Sequence, residues 1–417
     1  MKESLVLVNQ ALAATRTRES LLDELAWKRD VEESFFRDGA SILPQVQYDV
    51  PREDLETGIS ALVETQRSIE GEGPIHEWLQ AVLGSAIDRN RLLLAIGTSA
   101  FGTLSREIYG SAKTAVFGRP NVDLANHLLE RLRMHGSDEA RETADAPMTS
   151  EEFVDWLQNR IARKRPSIDI EVLLDPECTS KAIAGSKRVR VRTGTTFTSW
   201  EAEGLYRHEI ETHAFSAQNG AAQEHAPFLK AGGPRSTETQ EGLAVFAELY
   251  HHALAVPRLR RLALRVKLVE KAEEGASFID VYRYLLDEGE APRDAFLDVA
   301  RVFRGGQPEG GAAFTKDASY LSGLLRVYAF LSVFVRGGFQ DECEMLFAGR
   351  MHLDDITAAV MLRNMGILGR PRYRPRWLRE WGTLLPYFSF ASFLDGVDLA
   401  PVEAHYAEVM KAALQLA

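Results

Sequence analysis

The stretch 205–215, "LYRHEIETHAF", constrains this chain more than any other. It carries His208, Glu209 and His213, so the two histidines stand five residues apart with a glutamate directly after the first. On an α-helix, residues four apart lie about 40° apart around the axis, and residues five apart about 140°. A regular helix here would therefore turn His213 away from His208. The local grammar is nevertheless helical, because Thr198-Ser-Trp-Glu201 just upstream has capping-box form. Both demands are met only if a π-type turn absorbs the extra residue and stacks position i+5 over position i. The spacing predicts a local helix distortion between His208 and His213.

The pattern is one residue longer than H-E-x-x-H, in which two imidazoles on one helix face bind zinc and the glutamate serves as base. A catalytic zinc needs a third protein ligand and an open position. The candidate third ligand lies in "STETQEGLAVFAEL", 236–249. Thr237-Glu-Thr-Gln240 also has capping-box form, which predicts a second helix with Glu241 in its first turns. Gly242 has no side chain and would let another helix approach closely. His208, His213 and Glu241 are thus the candidate ligands of a Zn2+ ion, and Glu209 the candidate catalytic base. Glu248, seven residues after Glu241, falls on the same face and is placed to orient a ligand imidazole, or else to form a surface salt bridge. The plain alternative is a polar helix with solvated His and Glu.

Composition narrows the function classes. The chain has 417 residues and a formal charge of −11, which disfavours general binding to nucleic acid or anionic membrane. Two cysteines, Cys178 and Cys343, cannot build a disulfide framework or a zinc knuckle. The first twenty residues carry a short apolar patch broken by Glu3, Asn9 and Gln10, so no leader peptide is expected. The most apolar later run, "VYAFLSVFV" (327–335), is too short on its own to span a bilayer. A soluble cytoplasmic protein is expected.

Residues 1–150 read as an N-terminal helical region, and the polar run 135–152 as a linker at its end. Residues 151–417 read as the catalytic domain with a helical C-terminal part. Within it, "SIDIEVLL" (167–174) and "KRVRVRTGTTFT" (187–198) read as a strand pair, with Val189 and Val191 inward and the intervening arginines outward. The fold class is α+β and predominantly helical, with a small sheet beside the helix that carries His208.

The residues also carry a family likeness. "RHEIETHAF" followed by "TETQEGLAVFAEL" resembles the microtubule-associated tyrosine carboxypeptidase family, whose bacterial members bear the label flavohemoglobin expression-modulating QEGLA-motif proteins. The blocks "FGTLSREIYGSA" (101–112), "FTKDASYLSGLLRVY" (314–328) and "LFAGRMHLDDITAAVMLRNMGIL" (346–368) extend the likeness from about residue 35 to 380. The resemblance implies a zincin-like core of gluzincin type, with zinc on His208, His213 and Glu241 and Glu209 as base. It implies a carboxypeptidase, which in eukaryotic relatives removes a C-terminal tyrosine from tubulin. Where the family has a small residue inside H-E-x-G-T-H, this chain has Glu211. That charge lies either near the metal or on the far face.

A carboxypeptidase needs an oxyanion donor and a cation for the substrate's terminal carboxylate. Tyr320 is the candidate donor. Arg190, Arg304, Lys316 and Arg326 are the candidate cations. The expected partner is a peptide or protein C-terminus, with no nucleic acid and no membrane. The competing readings are a zinc aminopeptidase or amidase and a non-enzymatic regulatory protein. A purely structural zinc site needs no base and closes its fourth position with Cys or His, which Glu209 argues against.

Overall fold

The computed structural model describes residues 1–15, 21–133, 146–165, 167–178, 180–394, 396–402 and 404–406. Most of the polar run read as a linker, residues 135–145, lies outside them. The molecule is predominantly helical with two small sheets. The described end of the polar run turns into a helix at Ser150, where Thr149 and Glu152 form a reciprocal capping box.

The larger sheet has three strands. Glu171–Asp175 and Arg188–Arg192, the two strands expected from their β-branched residues, pair in parallel. A third, Ala182–Ala184, pairs antiparallel to Arg188–Arg192 and forms an edge. Val189 and Val191 are fully buried, whereas Arg188, Arg190 and Arg192 point toward solvent to differing degrees. The inner face packs on the helical segment that carries His208, through Ala202, Tyr206, Ile210 and Ala214. Burying one such aliphatic side chain stabilises by roughly 1.5–3 kcal/mol, so this contact fixes the segment against the sheet.

Two long helices pack against each other, and one of them packs on the segment that carries His208. Thr237–Tyr250 lies against Ser319–Arg336, and their backbones touch. A Cβ on Gly242 would stand 2.3 Å from the Gly323 oxygen, and one on Gly323 would stand 2.2 Å from the Glu238 oxygen. The close approach expected of Gly242 is thus made to the helix Ser319–Arg336. The stretch Thr315–Arg336 is long and apolar enough, by length and composition, to cross a membrane, yet 50% of that window is buried inside the molecule. Helices from before residue 150 complete the same hydrophobic clusters. Phe35, Val122 and Leu129 join Val245, Val299 and Leu321, while Leu62, Trp78 and Leu83 join Leu229, Met351 and Leu362.

Candidate metal centre

The capping box of Thr198 and Glu201 starts a helix at Ser199, as its sequence predicts. After about two turns the winding changes. Tyr206–Ala214 is a π-helix of 9 residues, and it contains both histidines. The Thr212 hydroxyl donates to the Arg207 carbonyl, five residues back, at 3.0 Å. That bond favours the wide turn locally, since a side-chain hydroxyl can take a carbonyl from the helix ladder. The imidazole centroids of His208 and His213 lie 4.8 Å apart, nearly perpendicular. The distortion predicted from the spacing is present, and it brings the two rings to one face.

The second helix begins differently from its sequence pattern. Its cap is Ser236, with no side-chain cap bond, and it continues directly from a 3-10 turn over Pro234–Ser236. The capping box read into Thr237 and Gln240 does not form; Thr237 bonds back to the Gly233 carbonyl instead. Glu241 still sits in the first two turns and faces the histidines.

One carboxylate oxygen defines the site. Glu241 Oε2 lies 3.4 Å from His208 Nε2 and 3.5 Å from His213 Nε2. It is buried and has no hydrogen-bond partner among the described residues. A tetrahedral centre with bonds of about 2.0–2.1 Å holds its ligand atoms roughly 3.3–3.4 Å apart. The three donor atoms lie within 4.8 Å of one another, and they are the group among the described residues that could hold a metal ion. The donor set, two imidazoles and one carboxylate, is of a kind that can hold a metal ion and leave a position open.

Neighbouring groups fix each donor. Lys316 Nζ donates to Glu241 Oε1 at 2.8 Å, which leaves Oε2 turned toward the histidines. Burial opposes ionisation of Glu241, but Lys316 and the two imidazoles hold its pKa well below the usual carboxylate range. His208 Nδ1 bonds Glu248 Oε1 at 2.7 Å, so Glu248 orients the imidazole. Glu248 is itself buried and paired with Arg258 at 3.2 Å, which excludes the surface salt bridge weighed above. Burial disfavours a charge on His208, yet the carboxylates of Glu241, Glu248 and Glu209 outweigh it and raise its pKa to about 10. A pocket with three carboxylates around one imidazole attracts a cation.

Glu209 is held by the sheet. Its Oε2 accepts from the Ala184 N–H at 2.7 Å, and its Oε1 lies 4.0 Å from His208 Nε2. Glu211 points to the far face, where Arg165 and Arg207 bond its two oxygens at 2.9 and 2.6 Å. Its charge is therefore neutralised away from the donors.

The centre opens into a cleft of about 1090 Å³, larger than the usual drug-sized pocket. Of the cations named from the sequence, Arg190 and Lys316 line it; Arg304 and Arg326 do not. Arg190 bonds Asp23 at 2.8 Å and Asp175 at 3.5 Å. Arg326 pairs with Glu238 at 3.3 Å. Arg304 is buried against the Phe314 ring and lines a different pocket. Tyr320 lines the cleft, with its hydroxyl 3.5 Å from Arg301 Nη2.

Arg301 and Arg258 are the residues that sequence reasoning missed. Arg301 lines the cleft while clamped by both Asp317 oxygens at 2.6 and 2.8 Å. Arg258 lies in an arginine-rich helix and Arg301 stands three residues before Arg304, so no local signal separates either from its neighbours.

The family model of the microtubule-associated tyrosine carboxypeptidases matches residues 33–396. The chain belongs to that family. No curated protein shows a comparable match. The family's name points to a carboxypeptidase-type hydrolase. Part of the cleft wall comes from outside the matched span: Asn9, Leu12 and Asp23 all line it.

Proposed function

We propose that this protein is a zinc-dependent metallocarboxypeptidase with a zincin-like core, which removes a C-terminal residue from a peptide or protein. The observation that carries the reading is the unpartnered Glu241 Oε2 between the two histidine Nε2 atoms, with Glu209 beside them. Membership in a carboxypeptidase family supports it.

His208, His213 and Glu241 hold the ion in this reading. When bound, zinc supplies a Lewis acid that polarises a carbonyl and brings the pKa of water near 7. Glu209 takes a proton from the attacking water and returns it to the departing amine, so the C–N bond breaks as a C–O bond forms. Its bond to the Ala184 N–H keeps the carboxylate aimed at the cleft. Tyr320 donates its hydroxyl to the oxyanion that develops on the former carbonyl. Lys316 is committed to Glu241, so of the cations named from the sequence Arg190 is the one left on the wall for the terminal carboxylate, with Asp23 and Asp175 setting its position.

The test is incubation with peptides of mixed sequence, read by mass spectrometry. The reading expects loss of single C-terminal residues, no action on peptides with an amidated C-terminus, and release by Glu209→Gln lowered by about 10²–10⁴-fold. Release from N-termini would replace it with an aminopeptidase. A metal-loaded protein that cleaves no peptide would overturn it.

A further inference from the structure

A second, smaller pocket lies beyond the cleft wall. It shares one described residue with the cleft, Arg301, and is otherwise built from Trp27, Phe296, Cys178 and a set of basic side chains. Its volume is about 70 Å³, room for a few water-sized groups and not for a peptide.

The charge in this pocket is unbalanced. Six cations line it against two carboxylates, Glu32 and Glu177. Three of the cations are already paired: Arg29 with Glu33, Arg293 with Glu32, and Arg301 with Asp317. Arg192 and Arg304 form no ion pair among the described residues. Arg192 bonds only the Thr195 hydroxyl, at 2.9 Å. Arg304 is 3% exposed, and its Nε and Nη2 are buried with no hydrogen-bond partner among the described residues. Its guanidinium lies over the Phe314 ring at 5.2 Å, which holds the plane but satisfies none of its donors.

A buried guanidinium with two idle N–H groups is costly unless an acceptor meets it. The planar fork of arginine matches a tetrahedral oxyanion, two N–H groups to two oxygens. From this geometry we infer that the pocket is an anion site, taking a small free oxyanion of the phosphate or sulfate class on Arg304 and Arg192, with Lys28 at its exposed mouth. Burial, and then the neighbouring Arg301, lower the Arg304 pKa to about 10, so the guanidinium keeps its charge at neutral pH. The pocket is separate from the metal donors, and the inference does not depend on the reaction proposed for them. Because Arg301 stands on both walls, occupancy of this pocket bears on the side chain that contacts Tyr320.

The test is isothermal titration of the full chain with inorganic phosphate, at ionic strength fixed with chloride. The inference expects saturable binding of one phosphate per chain by the wild type. Arg304→Gln should weaken it roughly tenfold or more, the scale of a lost charge-assisted hydrogen bond. Arg192→Gln, which is partly exposed and tolerant of change, should weaken it several-fold and carries the test should Arg304→Gln fail to fold. His213→Ala should bind phosphate as the wild type does. No saturable binding, or unchanged binding in both arginine variants, would overturn the site. Binding that vanishes in His213→Ala would assign the phosphate to the metal centre instead, and would overturn it equally.

Discussion

The helical segments Tyr206–Ala214 and Thr237–Tyr250 face the same point and reach it by different windings. The first carries its two donors five residues apart and is wound as a π-helix. The second carries Glu241 and Glu248 seven residues apart and is a regular α-helix, in which that spacing already returns to one face. In the first, alignment rests on a local distortion, supported by the Thr212 hydroxyl and by packing on the sheet. In the second it rests on a distant contact, the meeting of Gly242 with Gly323. Glu248 joins the two, because it grows from the regular helix and holds His208 on the distorted one. Spacing thus dictates winding, and each winding needs its own support.

Four changes would break or sharpen that contrast. The largest effect is expected on the π-wound side, from Glu209→Gln. It should lower peptide release by about 10²–10⁴-fold, the usual contribution of a general base, while metal content stays unchanged by elemental analysis. On the α-wound side, Gly242→Ala should destabilise the fold by about 3 kcal/mol in denaturant titration, because the new methyl meets backbone that cannot yield easily. The link between the two should be smaller. Glu248→Gln should weaken metal affinity by about 10–100-fold in a chelator competition, with the fold intact by circular dichroism. The smallest change is Thr212→Val, which removes the hydroxyl bond to Arg207 and should cost about 1 kcal/mol. A Thr212→Val protein of wild-type stability would show that sheet packing alone maintains the wide turn.

The parts legible in the sequence are those fixed by short-range geometry. A five-residue histidine spacing admits few helical solutions, and Gly242 in an otherwise apolar helix signals a close approach. Val189 and Val191 gave the sheet its inner face through simple alternation. The edge strand Ala182–Ala184 escaped notice because a single β-branched residue, Ile183, between two alanines makes too short a run to carry a β signature, although its N–H at Ala184 holds the candidate base. The pattern at Thr237 was misleading because the preceding Pro234–Ser236 turn feeds the helix directly and leaves no exposed N-terminus to cap. Arg304 and Arg326 were plausible cleft cations on charge alone, whereas Arg301, three residues before Arg304, is the one that reaches the wall. Only tertiary packing distinguishes them. Arg258 and its bond to Glu248 belong to the same class, since nothing local marks a partner ten residues away across a turn.

The metal content of the protein, purified without added zinc and measured by elemental analysis, tests the central claim most directly. The account predicts about one zinc per chain, as a two-His, one-carboxylate site requires, and its loss in His213→Ala and in Glu241→Ala. Protein that holds no zinc and takes up none at micromolar concentration would contradict the claim that the π-wound helix exists to aim two histidines at a metal.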